Sequence, residues 1–245
     1  MSSPVILITG AARRVGAEIA RTLHAAGAGV VLHYRGSDAE AEQLAQALNS
    51  IRPDSAIALA ADLGESAALG ALVEKAVKYF GRLDGLVNNA SSFFPTPVGS
   101  IDDAAWQALV DSNLKGPLFL SQAAAPHLAK HGGAIVNITD IHTERPLKGY
   151  VVYSSAKAGL AAMTRALAID LAPQVRVNAV APGAILWPED GSFTAAERKA
   201  IVSHTPLQRM GSPEDIARTV KFLLFDAPFI TGQIISVDGG RSIRI

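Results

Sequence analysis

Tyr153 and Lys157 stand four residues apart in a stretch of helical character. On a helix that spacing puts both side chains on one face, so a phenol and an ammonium can enter one pocket. A neighbouring cation favours phenolate, so the pair predicts a Tyr153 pKa below its reference near ~10 and a proton donor close to neutral pH. Tyr and Lys meet at this spacing by chance in many helices, and the pair gains weight from Asp140, thirteen residues upstream. An ionised carboxylate only accepts hydrogen bonds and repels a developing alkoxide. A ketone needs neutral hydroxyl donors there, so Asp140 speaks against ordinary ketone reduction. Toward a heterocycle bearing N–H donors it can accept, or deliver a proton where burial raises its pKa. The bland role for such an Asp is to cap a turn.

A second cluster precedes these residues. Thr9 to Gly16 reads Thr-Gly-Ala-Ala-Arg-Arg-Val-Gly and joins a short apolar run to a helical pattern. Gly10 allows a tight turn and Gly16 allows a helix to pack closely on a strand. The free N–H groups at the start of that helix suit a pyrophosphate. Arg14 occupies a place where many such loops carry glycine, and its guanidinium suits phosphate or substrate. Val15 completes the loop. The next apolar run ends in His33, Tyr34, Arg35, Gly36 and Ser37 with no acid before Asp38. NAD sites usually place an acid about twenty residues on, whereas Arg35 with Ser37 suits a 2′-phosphate. The expected cofactor is therefore NADPH.

These residues need a scaffold, and the apolar runs supply one. Strands are expected at Val5–Ile8, Val30–His33, Ala56–Ala60, Leu86–Val87, Ala134–Ile138, Val175–Val180 and Ile234–Val237. Helical patterns fill the intervals: Arg14–Ala26, Asp38–Asn49, Glu65–Phe80, Asp102–Ser112, Leu114–Lys130 and Tyr153–Leu171. Alternation of this kind predicts a doubly wound α/β fold of Rossmann type, with a seven-stranded parallel sheet and helices on both faces. The chain reads as one dinucleotide-binding domain over 1–245. Its long irregular segment, about Pro182 to Thr205, follows a strand C-terminus, where open α/β sheets bind ligands.

Composition narrows the function. Of 245 residues, 49% are hydrophobic and 18% charged, enough to fill one large core. Net charge is zero with no basic stripe, which disfavours nucleic acid. No apolar stretch nears the ~20 residues of a membrane span. The first strand starts too early for a signal peptide. Cysteine is absent, which removes thiol and disulfide chemistry and fits a cytoplasmic enzyme. His127 and His131 have the spacing of a helical metal pair but no third ligand, so they read as surface residues and no metal is expected.

As a set, these features resemble the short-chain dehydrogenase/reductase superfamily. The resemblance includes the Thr9–Gly16 loop, Asp62-Leu63, Asn88-Asn89-Ala90, Asn113, the Tyr153/Lys157 pair, Pro182-Gly183 and Asp238-Gly239-Gly240. It implies that Asn113 supports a proton relay, that Lys157 binds the nicotinamide ribose and that Asp62 and Leu63 line the adenine site. It further implies that Asn89 and Ala90 lie along the cofactor and that Pro182 and Gly183 flank the nicotinamide. Two departures matter. Asp140 stands where most members carry Ser, and Ser91-Ser92-Phe93-Phe94 follows Asn-Asn-Ala where most carry Gly. Both, with Arg14, resemble the pteridine reductases. That resemblance implies NADPH-dependent reduction of a dihydropterin, with dihydrofolate as a further substrate. Phe93 would stack on the pterin, Ser91 would touch cofactor and substrate, and Arg14 would sit at the open edge; Trp187 does not match the family's pattern, and its place in the long segment after the sixth strand is what suggests that it covers the site. A carbonyl or 3-oxoacyl reductase and a non-catalytic dinucleotide-binding regulator are the rival readings.

The helix after Tyr153 is apolar nearly all round, with Ala156, Leu160, Met163, Leu167 and Leu171 in one stripe. A helix without a polar face is usually covered on both sides. A second subunit is expected over the side the sheet leaves free, and the resemblance implies a homotetramer.

Overall fold

A computed structural model describes residues 3–187 and 193–244. Seven strands form one all-parallel sheet: β1 Val5–Ile8, β2 Gly29–Tyr34, β3 Ala56–Ala60, β4 Gly85–Asn88, β5 Ala134–Ile138, β6 Arg176–Pro182 and β7 Ile234–Val237. Their order is β3-β2-β1-β4-β5-β6-β7, the doubly wound arrangement that the alternating pattern predicts. The direction of winding reverses between β1 and β4, and ligands of open α/β sheets bind at the carboxyl ends of strands beside such a switch.

All four residues of β1 are buried, because both faces of the sheet are covered. Ile6 and Ile8 point to one layer, against Ile19 and Leu23 of α1 (Arg14–Ala25) and Ile216 and Val220 of α8 (Pro213–Lys221). Val5 and Leu7 point to the other. They meet Leu69 and Val73 of α3 (Ser66–Phe80) and Leu120 and Leu128 of α5 (Gly116–Ala129). The period of two in a strand thus divides one short run between two cores. The remaining helices are α2 (Asp38–Ile51), α4 (Asp103–Val110), α6 (Val151–Asp170) and α7 (Ala195–His204).

Three features differ from the sequence expectation. First, the irregular segment after β6 contains α7. Its N-terminus is closed by a capping box: Glu197 N donates to Thr194 Oγ1 at 3.3 Å and Thr194 N donates to Glu197 Oε2 at 2.8 Å. Second, α8 is an additional helix, begun by Pro213, with Asp215 Oδ2 accepting from Ser212 N at 2.9 Å. Third, the two helical patterns on either side of Asn113 are one helix. A π turn over Asp111–Lys115 joins α4 to α5, and Asn113 lies within it, fully buried. Such single turns inside α-helices recur at functional sites.

A buried polar chain ties α6 to the sheet. Asn88 Nδ2 donates to Asn137 Oδ1 at 2.8 Å, and Asn137 Nδ2 donates to Thr164 Oγ1 at 2.9 Å. All three residues are buried. Buried polar groups hold a geometry strongly because breaking one bond leaves its partner unsatisfied. The helix that carries Tyr153 and Lys157 is fixed in this way to the strand ends below the site.

Candidate active site

The loop after β1 and the loop after β4 meet at the switch point and lock together. Thr9 Oγ1 accepts from the backbone N–H groups of Asn89 and Ala90 at 2.9 and 3.0 Å. Asn89 Nδ2 donates to the carbonyls of Thr9 and Gly10. Gly10 adopts φ +61°, and a Cβ on Gly16 would sit 2.1 Å from Gly10 O. No other residue fits at 16 without parting helix from loop, as its place in the motif implies. Arg14, with φ 55°, holds a left-handed conformation that glycine would adopt freely.

His33 buttresses the same loop from below. Its Nδ1 accepts from Gly10 N at 3.2 Å, so its Nε2–H donates to Ala61 O at 3.1 Å. Burial pulls its pKa down to about 4, which keeps the ring neutral and the Nδ1 lone pair available.

These loops border a cavity of about 770 Å³. Its lining brings together thirteen of the residues singled out by sequence: Gly10, Arg14, Val15, Gly16, His33, Tyr34, Arg35, Ser37, Asp62, Leu63, Asn89, Ala90 and Ser91. Arg35 is exposed and has no ion pair among the described residues, so its guanidinium is free to take an anion. Leu63 is a core residue as much as a wall, with 5% exposure. Asp62 Oδ1 accepts from Gly64 N at 2.8 Å and shapes the turn at the cavity edge. Arg13, passed over in the sequence, also lines the cavity, and its guanidinium lies 3.9 Å from Glu40. Its position next to Arg14 in the glycine loop was the available signal.

The second group gathers around α6. Tyr153 Oη donates to Asp140 Oδ2 at 2.7 Å. The other oxygen, Asp140 Oδ1, accepts from His142 N at 2.8 Å and caps the short 3₁₀ turn Ile141–Thr143. The turn-capping role and the proton-handling role are thus not alternatives: each uses a different oxygen. Lys157 is buried, and its Nζ donates to Ile138 O at 2.8 Å. Phe93 stacks on Tyr150 with centroids 4.6 Å apart and planes 16° apart, and meets the Tyr153 ring edge-on at 4.8 Å. Thr96 N donates to Gly149 O at 2.7 Å, which pins the Phe93 loop beside α6. Tyr150, unremarked in the sequence, is therefore the support that sets the plane of Phe93.

Electrostatics here reverse the expectation drawn from spacing. The Tyr153 pKa lies well above its ordinary value, raised first by burial and then by the Asp140 carboxylate and its hydrogen bond. Lys157 is 5.9 Å from the centroid of the Tyr153 ring and spends its bond on Ile138 O, so it does not offset these effects. Tyr153 is a neutral donor, and phenolate is disfavoured. Burial lowers Lys157 to about 8, with Asp140 pulling the other way.

Asn113 is joined to the Ser91 loop. Ser91 Oγ donates to Asn113 Oδ1 at 2.7 Å, and Asn113 Nδ2 donates to the carbonyls of Ser92 and Leu109, both at 2.9 Å. Ser91 therefore links the large cavity to the interior of the π turn. Pro182 ends β6, and Gly183 passes so close to Asp238 that a Cβ would lie 2.7 Å from Asp238 Cα. Trp187 is farther out. Its carbonyl accepts from Arg14 Nη2 at 3.0 Å, and its ring packs on Phe193 at 5.7 Å. It stands beside a separate groove and not in the wall of the large cavity. His127 pairs with Glu74 at 3.1 Å. No helix among the described residues is long and apolar enough to cross a membrane.

The pH dependence of activity follows from Lys157. If its charge is needed at the cofactor, kcat/KM is expected to fall on the alkaline side with a midpoint at about 8. A flat profile of kcat/KM from pH 7 to 9.5 would refute a role for the charged form. Stability should move the other way. A Lys lowered from 10.5 to about 8 costs most below that lower value, and the cost eases as pH rises toward 10.5.

A sequence family described as enoyl-(acyl carrier protein) reductase matches residues 10–242 of this chain. Pteridine reductase 1 of Leishmania tarentolae is 39% identical, over 99% of this chain and 97% of its own length. The 3-oxoacyl-acyl-carrier-protein reductase of Staphylococcus aureus is 35% identical, over 96% of each chain. Both are similar along the whole fold, so overall likeness does not select a substrate.

Proposed function

The chain belongs to the short-chain dehydrogenase/reductase family of oxidoreductases, and we propose that within it the protein is an NADPH-dependent pteridine reductase that converts dihydropterins of the biopterin or monapterin type, and dihydrofolate, to their tetrahydro forms. The observation that carries this reading is the 2.7 Å bond from Tyr153 Oη to Asp140 Oδ2. A carbonyl substrate would develop negative charge beside a carboxylate, whereas a pterin offers ring nitrogens and an amino group that donate to one.

The glycine loop suits a dinucleotide, since Gly10 and Gly16 let it pack tightly against Asn89 and Ala90 in the cavity wall, where a Cβ at either position would push the loop away. Arg35 and Ser37 at the cavity rim favour a 2′-phosphate, with Arg13 beside them. Asp62 and Leu63 would hold the adenine end, Asn89 and Ala90 the middle, and Lys157, Pro182 and Gly183 the nicotinamide end. When bound, the cofactor supplies a hydride. The protein's part is to orient and protonate. Phe93, backed by Tyr150, offers an aromatic surface for a flat ring, worth about 0.5–1.5 kcal/mol beyond burial. Asp140 accepts from the heterocycle and Tyr153 gives the proton. Its raised pKa keeps that proton in place until the substrate demands it. Asn113 and Ser91 hold the loop that frames this pocket.

A carbonyl or 3-oxoacyl reductase is the second reading, supported by the Staphylococcus relative. The deciding measurement is cofactor consumption over a panel of dihydropterins, dihydrofolate, small ketones and a 3-oxoacyl thioester, with NADPH and NADH. Turnover of pterins with NADPH is expected. Turnover of ketones alone would reject the proposal. Exposed apolar residues on α6, Val151 at 45% and Ile169 at 78%, and Phe119 of α5 at 37%, support a homotetramer in which a second subunit covers them. A cytoplasmic location accords with the absence of cysteine.

A further inference from the structure

We infer that His142 is a positioning residue: its ring holds the turn that aims the Asp140 carboxylate at Tyr153, and Arg145 fastens that turn to the C-terminal segment. This deepens the pterin reading above and rests on it for the identity of the substrate. That reading depends on Asp140, so whatever sets its carboxylate bears on the chemistry.

The carboxylate is held at both oxygens. Oδ2 accepts from Tyr153 Oη at 2.7 Å, and Oδ1 accepts from His142 N at 2.8 Å. The direction of that N–H is set by the 3₁₀ turn Ile141–Thr143, in which Thr143 N donates to Asp140 O at 3.2 Å, the long end of the ordinary range. Residues 144–149 then belong to no helix or strand, and Pro146 has no N–H to give. Side chains must therefore fix this stretch. The half-buried imidazole of His142 does so. Its Nδ1 lies 2.8 Å from Arg145 O, and a carbonyl only accepts, so Nδ1 carries the proton. Residue 142 thus bonds in two directions. Its backbone N–H reaches back to the Asp140 carboxylate, and its ring reaches forward to Arg145 O.

Arg145 carries the connection further. Its Nη1 donates to Ser242 O. Ser242 N and Gly240 N donate to the two oxygens of Asp238 at 2.6 and 2.9 Å. Gly183 packs against Asp238, and its N–H donates to Val237 O at 3.1 Å. One bonded frame therefore carries both the carboxylate proposed for the substrate and the Gly183 backbone proposed for the nicotinamide end.

The test uses two variants at one position. His142→Leu removes the ring donor and keeps the backbone N–H, whereas His142→Asn places an amide N–H where Nδ1 stood. In His142→Leu, kcat for dihydropterin is expected to fall about 10-fold or more, with the Kd for NADPH within about 3-fold of wild type. The alkaline limb of kcat/KM should move below about 8, because Asp140 opposes the lowering of Lys157 and a loosened carboxylate opposes it less. His142→Asn should return kcat to within about 3-fold of wild type and the limb to its place. An unchanged kcat in His142→Leu, or an Asn variant as impaired as the Leu one, would overturn the assignment. If His142→Leu does not fold, Arg145→Met decides. It leaves the ring and the carbonyl it binds, removes the bond to Ser242, and should move kcat and the limb in the same directions. No movement of either would overturn the assignment.

Crystal structures of the variants without substrate separate this inference from the pterin reading. The 2.7 Å distance from Tyr153 Oη to Asp140 Oδ2 should open beyond about 3.5 Å in His142→Leu and close again in His142→Asn. If the wild type turns over no pterin but this distance responds as stated, the proposed function fails and the positioning role stands. If pterins are reduced and the distance in His142→Leu stays as in the wild type, the pterin reading stands and the positioning role is refuted.

Discussion

Replacing Tyr153 by Phe is expected to lower pterin turnover by about 10²–10⁴-fold, the range that general acid catalysis contributes. The affinity for NADPH should stay within about 3-fold, because the residues proposed to hold that cofactor are untouched and Lys157 does not depend on the phenol for its place. Lys157 Nζ donates to Ile138 O, and that bond survives the substitution. The ring remains to meet the edge of Phe93. Only the O–H to Asp140 is lost, and the half-buried carboxylate still accepts from His142 N. Folding should therefore change little, and circular dichroism on heating would show it. The decisive readout is single-turnover hydride transfer with saturating cofactor. A rate within about 3-fold of wild type would mean that the proton comes from another group.

How much of this could be read in the sequence depends on the kind of signal each element leaves. The central strands β1, β4 and β5 are buried on both faces, and runs such as Val5–Ile8 and Ala134–Ile138 stand out as apolar. Their alternation with helices predicts a parallel sheet covered on both faces, while the strand order around the switch point is read from the structure. Helix α7 left no such mark. None of its residues is buried, so it has no apolar periodicity, and only Thr194 and Glu197 betray its start. The π turn at Asn113 is invisible in the pattern because the residues on both sides of it are helical.

The site residues divide in the same way. The Tyr153–Asp140 pair was legible as a spacing, and the fold closes it to 2.7 Å. The direction of the Tyr153 shift was not. Spacing on a helix says which side chains share a face, but burial and the choice of partner decide charge. Lys157 finds a backbone carbonyl, and Tyr153 finds a carboxylate. His33 shows the same limit. Its place at the end of β2 sets it in the cavity lining, but only the structure shows its ring nitrogens bound to Gly10 N and Ala61 O, where it supports the loop.

Asp140→Ser separates the two enzyme readings and carries its own internal controls. The kcat/KM for dihydropterin is expected to fall by about 10²-fold or more, since the acceptor for the heterocycle is replaced by a hydroxyl. Reduction of small ketones should rise from background, because a neutral donor beside a developing alkoxide stabilises it where a carboxylate repels it. The 3₁₀ turn should persist, as Ser at its N-cap can also accept from His142 N. Electrostatics supply a second readout. Two of the three causes that raise the Tyr153 pKa come from Asp140, so its titration should move down toward the ordinary value of 10.0. Asp140 also opposes the lowering of Lys157, so without it the alkaline limb of kcat/KM should begin below about 8. Both titrations shift in the acid direction, from the loss of one negative charge. An unchanged pterin rate, with the alkaline limb moved as described, would show that the carboxylate tunes its neighbours without touching the substrate. The choice of pterins over carbonyls would then have no support left in the site.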